Sequence, residues 1–217
     1  MGSIKGKVFI DTNMIKYAHV VEKVDMFDWL QKVYESIYIH KEVLDELYGT
    51  EAYTVASHLV ADGTWELFNP DDANCLDMVQ KLLYDEQLKL VEDAFRELSR
   101  RKKADGKTVK TTNNTGEIHS LAAALILNAE IISSNDYEIR EIIEYEKFTI
   151  ISDVSNNRML IQQDTLEDFC VLCVKHGIAD NRKQVKTLLS VALRGDPKLK
   201  EKKEKLDERL RDLGTYI

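Results

Sequence analysis

Val8-Phe9-Ile10-Asp11-Thr12-Asn13 is a short apolar run that stops on an acid and two polar residues. Three bulky residues in succession read as a buried strand, and the abrupt change at Asp11 reads as a polar loop at its carboxyl end. The same grammar recurs downstream. Ile131 and Ile132 form a second apolar run that delivers Ser133-Ser134-Asn135-Asp136, so two acids follow two strands taken from distant parts of the chain.

Between and around these runs the pattern alternates. A helix is expected after Asp11, through about Leu30. Ile37 to Ile39 make a strand, and KEVLDELYG carries Val43, Leu44 and Leu47 at helical spacing up to Gly49, with Glu46 beside that stripe. Trp65 to Phe68 read as another strand, followed by the turn signal Asn69-Pro70-Asp71-Asp72. From Ala73 to about Lys103, Leu76, Val79, Leu83, Leu90, Ala94 and Leu98 recur at spacings that predict one long helix, ended by a charged tract and Gly106. Asn114 is placed to cap a further helix with Glu117 as its capping-box partner, and Ile118, Leu121, Ala122, Leu125 and Ala129 give that helix a face for a sheet. Phe148 to Ile151 and Met159 to Ile161 are the last strand-like runs. Strands separated by helices throughout imply an α/β fold, a mostly parallel sheet covered on both faces.

Residues 165 to 194 read as two helices broken near Gly177, and the tail from Pro197 is highly charged, with Leu199, Leu206, Leu210 and Leu213 as its apolar repeat. That tail is expected to be a solvated helix or one that docks on the body or on a partner. The organisation expected is a main domain over 1–170, with a helical and basic insertion over about 71–113, and a helical extension over 171–217.

The chain has 217 residues, long enough for a substantial core, and no apolar run approaches the length needed to span a bilayer. Its start lacks the apolar region and small-residue cleavage site of a secretory signal, so a cytoplasmic protein is expected. Cys170 and Cys173 are spaced C-x-x-C, but no second pair of ligands accompanies them, and with Phe169 and Leu172 at helical spacing they read as buried packing. A net charge of −8 argues against a surface that attracts nucleic acid everywhere. Local positive charge is present nonetheless, as Arg100, Arg101, Lys102, Lys103, Lys107 and Lys110 fall within eleven residues.

In an open parallel sheet, ligands bind beyond the carboxyl ends of the strands, where Asp11 and Asp136 are expected, with Glu46 and Glu117 on helices near the same end. Four carboxylates converging there would all be ionised at pH 7 and would repel. A divalent cation removes that conflict, and an oxygen-rich site suits Mg²⁺ or Mn²⁺. One or two such ions can activate a water for in-line attack on phosphorus and neutralise the leaving oxygen. Each acid also has a plainer reading: Asp11 and Asp136 as helix caps, Glu46 as solvated helix surface beside Glu42 and Asp45, Glu117 as a capping-box residue.

The same residues carry a family likeness. KVFIDTNMI resembles the opening strand and D-[ST]-N signature of PIN domains. EVLDEL resembles that family's second acidic element, and TGEIHSLAAALILNAEIISSND resembles its third and fourth. MLIQQDTLEDF is similar to the segment that closes many PIN domains. The likeness covers roughly residues 7 to 170, interrupted by 71 to 113. It implies a PIN-like three-layer α/β/α sandwich and a metal-dependent endoribonuclease, with Asp11, Glu46, Glu117 and Asp136 for metal and Asn13 and Ser134 as neighbouring polar ligands or water-orienting groups. Glu117 stands where many members have aspartate. RNA is the implied substrate. A protein antitoxin is the partner if the chain is a toxin, a homodimer is a further expectation, and a PIN-fold binding module without catalysis is the alternative. A receiver domain would need an acidic pair at the first strand end, and a haloacid-dehalogenase phosphatase would need aspartate where Asn13 stands. No phosphate-binding glycine motif supports a nucleotide site. The basic tract from Arg100 to Lys110 is expected to guide RNA.

Overall fold

The computed structural model describes residues 5–107, 114–153 and 155–214; Lys110, one of the expected nucleic-acid contacts, lies outside them. The run that opens the chain is β1 (Lys5–Ile10), and it sits at the centre of a five-stranded sheet. Its neighbours are β2 (Tyr34–His40) on one side and β4 (Ile131–Ser133) on the other, with β3 (Glu66–Phe68) and β7 (Gln162–Asp164) at the edges. The four pairings are parallel, and in register Val8 lies between Ile37 and Ile131 while Ile10 pairs with Ser133.

Side chains alternate across this sheet and divide the core in two. Val8, Ile10, Ile37, Ile39 and Ile131 face one hydrophobic cluster. It is closed by α1 (Thr12–Val20), α2 (Met26–Val33), α3 (Lys41–Glu46), α4 (Glu51–Ala61), α8 (Leu166–Lys175), α9 (Arg182–Ala192) and α10 (Leu199–Asp212). Phe9, Ile132 and Phe68 face the other, closed by α5 (Met78–Ala104), α6 (Thr115–Leu127) and α7 (Tyr137–Glu146). The molecule is therefore α/β, with helices on both faces of a parallel sheet. Among the described residues, no helix is long and apolar enough to cross a membrane.

Several local expectations are refined. The helix expected from Asp11 to Leu30 is two helices, because Asp25 starts a new one by accepting a hydrogen bond from the Asp28 N–H at 2.9 Å. The long helix begins later than Ala73, at the capping box that Asp77 and Gln80 form. The runs near 148–151 and 159–161 do become strands, β5 (Thr149–Ile151) and β6 (Arg158–Leu160), but they pair antiparallel in a separate ribbon. The last strand of the main sheet is instead the polar segment Gln162-Gln163-Asp164. Its buried part is held by polar contacts: Gln163 Nε2 donates to the carbonyls of Ser134 (2.8 Å) and Asp136 (2.6 Å), and Tyr34 Oη donates to Asp164 Oδ2 (3.1 Å), while Gln163 Oε1 has no hydrogen-bond partner among the described residues.

The residue-170 boundary falls inside α8. Cys170 and Cys173 are fully buried there, and the cluster that contains them runs from Val8 to Leu210. The charged tail docks on the body: Leu206 and Leu210 are buried, and Arg209 reaches Asp168 at 2.8 Å.

Candidate active site

Asp11 follows the last residue of β1, and its backbone N–H donates to the Ser133 carbonyl at 3.0 Å, carrying the β1–β4 pairing one step beyond the strands. This parallel alignment brings Asp11 to the loop that leaves β4. Ser134 Oγ donates to Asp11 Oδ2 at 2.9 Å and accepts from the Asp136 N–H at 3.1 Å, so one fully buried hydroxyl ties the two acidic loops together. Asn13 Nδ2 makes a longer contact with the same Asp11 oxygen, 3.4 Å.

Glu46 reaches this rim from α3. Thr12 Oγ1 donates to its Oε2 at 2.7 Å and the Gly116 N–H to its Oε1 at 3.2 Å, so the carboxylate is clamped between the first turns of α1 and α6. The approach is tight at Gly116, since a Cβ there would stand 3.1 Å from Glu46 Oε1 and 3.2 Å from Val43 Cγ2 and its neighbours would have to give by a few tenths of an ångström. Glu117 follows it and is buried on α6. Asp136 is also buried, and its Oδ1 accepts from the Glu138 N–H at 3.0 Å, capping α7.

The electrostatics single out Asp11, whose side chain is 2% exposed. Burial pushes its carboxyl up to about 6, bonds from the Ser134 hydroxyl and the Thr12 backbone work against that, and the charges of Glu46 and Asp136 add to it. The site thus holds an acid whose ionised form is disfavoured by its surroundings and by two neighbouring carboxylates.

Asp11, Asn13, Glu46, Ser134 and Asp136 are brought together, in partly different roles, whereas Glu117 is placed only by its position beside Gly116 on α6. Asp136 makes the cap bond that its plainer reading required. Asn114 makes no side-chain cap bond to α6, so the Asn114–Glu117 capping pair is not formed; Asn114 Nδ2 instead donates to Glu138 Oε2 at 3.1 Å. Among the described residues, no three Asp, Glu, His or Cys side chains form a ready cage for a metal ion. The donors are all oxygens, as a hard cation requires, but both oxygens of Glu46 already accept hydrogen bonds within the protein. Such a set fits an ion that keeps most of its water and takes few direct carboxylates, with Asp11 foremost, and does not fit a fully caged one.

The basic tract divides by face. Lys102 Nζ lies 3.0 Å from Glu138 Oε1 and 3.1 Å from Glu141 Oε2, and the Arg101 guanidinium lies 3.5 Å from the centroid of the Tyr145 ring, so both are spent on α7. Arg100 and Lys103 point elsewhere and are exposed; Lys107 is exposed near Asp105.

Sequence reasoning did not find Thr12, Gly116, Gln163 or Lys202. The first two sit inside the quoted D-T-N and T-G-E stretches, where their polarity and small size were the available signals. Lys202 had none. It is buried on α10, 3.1 Å from Asp196 and 4.0 Å from Glu167, over the Tyr137 ring. Tyr17 stands nearby, hydrogen-bonded to Asn135 and within the fields of both Lys202 and Asp11.

Comparison of the chain with protein-family models, curated proteins and solved structures found no match.

Proposed function

We propose that this protein is a PIN-like, divalent-cation-dependent endoribonuclease that hydrolyses RNA phosphodiesters at the crevice of Asp11, Glu46, Glu117 and Asp136. The observation that carries the reading is Asp11 itself: a buried acid at the end of the central strand, pushed up to about 6, with two carboxylates as the neighbouring charges that raise it further. An enclosed carboxylate held against other carboxylates is a feature that costs stability, and a functional role accounts for its presence.

Mg²⁺ or Mn²⁺ bound there through Asp11, with Glu46, Glu117 and Asp136 around it, would supply an activated water and charge neutralisation at phosphorus. The chain's own part is positioning. Ser134 holds one Asp11 oxygen and thereby its carboxylate plane, Thr12 and Gly116 hold Glu46 on the opposite rim, and Asn13 offers an amide beside Asp11. A cytoplasmic setting suits such a substrate.

One observation favours the second reading, a PIN-fold binding module without catalysis: Glu46 has both oxygens engaged inside the protein. Incubation of purified protein with end-labelled RNA in Mn²⁺, Mg²⁺ or EDTA separates the two. Cleavage that requires the cation and disappears in Asp11→Asn supports the nuclease; intact RNA under every condition leaves the binding module.

A further inference from the structure

An open groove of about 550 Å³ runs between α5 and α6. On the α5 side it is lined by Glu92, Arg96, Ser99, Arg100 and Lys103, and on the α6 side by Asn114, Thr115 and His119. Arg96, Arg100 and Lys103 stand at i, i+4 and i+7, a single stripe along one face of α5, while Arg101 and Lys102 on the adjoining face are bound to α7. Three cations therefore face one carboxylate in a protein whose net charge is −8. Arg96 is paired with Glu92 (2.9 Å) and Asp93 (2.7 Å) and Arg100 approaches Glu97 at 3.6 Å, all at exposed positions where an ion pair contributes about 1 kcal/mol or less and exchanges readily for a phosphate.

The groove reaches the first turn of α6, the turn that also touches the carboxylate rim. Asn114 and Thr115 line it; Gly116, next in sequence, holds Glu46, and Asn114 holds Glu138, whose N–H is capped by Asp136.

A hydrogen-bond chain sets the state of His119 on its wall. The Glu42 N–H donates to His40 Nδ1 at 3.0 Å, so neutral His40 carries its hydrogen on Nε2 and donates it to Tyr84 Oη at 3.1 Å. Tyr84 in turn donates to His119 Nδ1 at 2.7 Å. Because His119 Nδ1 accepts from Tyr84, the ring hydrogen of His119 is left on Nε2. His119 is thereby oriented to donate from Nε2 beside a row of cations.

The geometry points to this groove as the track along which single-stranded RNA lays its phosphate backbone on the way to the carboxylate crevice, with Arg96, Arg100 and Lys103 as phosphate contacts and His119 as a hydrogen-bond donor. The stripe spans about 10 Å of helix axis, the reach of a short run of one strand. Its destination, though not its binding role, rests on the nuclease reading.

The test is anisotropy of a fluorescent single-stranded RNA 20-mer with the full chain in EDTA, between 50 and 200 mM salt. Arg100→Ala/Lys103→Ala is expected to weaken binding at least tenfold at 50 mM salt, and to reduce the slope of log affinity against log salt by about 1.4, from roughly 0.7 for each phosphate contact on a single strand. His119→Phe should weaken binding several-fold with the slope unchanged. Lys183→Ala/Lys200→Ala, which removes the same charge elsewhere, should bind as the parent does. Equal affinity and slope in parent and Arg100→Ala/Lys103→Ala would overturn the track, as would an RNA duplex that competes as well as the single strand. Cleavage assayed on the same proteins keeps the two readings apart. Weakened binding with no cleavage by the parent removes the nuclease and keeps the track, whereas metal-dependent cleavage with binding unmoved by the substitutions removes the track alone.

Discussion

Replacing Asp11 by Asn is expected to make the metal-free protein more stable at alkaline pH and slightly less stable at acid pH. Burial and two neighbouring carboxylates push the Asp11 carboxyl from 3.8 up to about 6 in the folded protein. A raised acid holds its proton more tightly in the fold than in the unfolded chain. The stability it contributes is therefore complete below about pH 4 and is lost as pH rises through 6. A shift of about two units corresponds to roughly 3 kcal/mol between those limits. Asparagine cannot ionise, so its stability lacks this slope. It keeps an acceptor for the Ser134 hydroxyl but has one oxygen where the carboxylate has two, a loss of about 1 kcal/mol. The difference between Asp11→Asn and parent should thus run from about −1 kcal/mol at pH 4 to about +2 kcal/mol at pH 8, by the same reasoning. Urea unfolding of both proteins in EDTA across that range measures it, and the other acids largely cancel in the difference. Mn²⁺ added at pH 8 should stabilise the parent and not the variant, because an ion that binds only the folded state shifts unfolding by mass action. Parallel stability curves for the two proteins from pH 4 to 8 would refute the claim that Asp11 is held in a repelling, desolvated environment.

Gly116→Ala places a methyl 3.1 Å from Glu46 Oε1 and 3.2 Å from Val43 Cγ2; it should cost about 1–3 kcal/mol by overpacking and lower any cleavage rate, checked by thermal melting and single-turnover cleavage. Ser134→Ala leaves the Asp136 N–H without its hydroxyl acceptor and removes a bond that lowers the Asp11 pKa, so a destabilisation of about 1–3 kcal/mol and a further upward shift of Asp11 are expected, the latter read from side-chain carboxyl NMR. Leu206→Ala should cost about 2–5 kcal/mol in denaturant unfolding, since that side chain is 1% exposed in the main core; a value near zero would mean that α10 is not part of the cooperative unit.

What the sequence determined by itself is local. Val8, Phe9 and Ile10 are apolar on alternate faces because a strand between two helical layers needs both faces apolar, and Asp11 ends the run because the chain leaves the sheet there. Gly49 and Gly177 were legible as helix stops because their backbones take positive φ, 80° and 66°. Asp11, Glu46, Glu117 and Asp136 were candidates on local grounds as well, since acids beside apolar runs stand out within a few residues. Tertiary structure decided what depends on partners far along the chain. Gln162-Gln163-Asp164 is a buried-edge strand held by contacts of Gln163 Nε2 with Ser134 and Asp136 and of Asp164 with Tyr34, and nothing in three polar residues announces that. The tract Arg100 to Lys103 is one string of charge in sequence, yet the helix turns Arg101 and Lys102 onto α7 and leaves Arg100 and Lys103 facing the groove. Lys202 reads as one more charge on a solvated tail until Asp196 and Glu167 compensate its burial. Periodicity records which face of an element is apolar, whereas the pairing of buried polar groups is fixed by contacts between segments whose separation in sequence carries no trace of their neighbourhood in space.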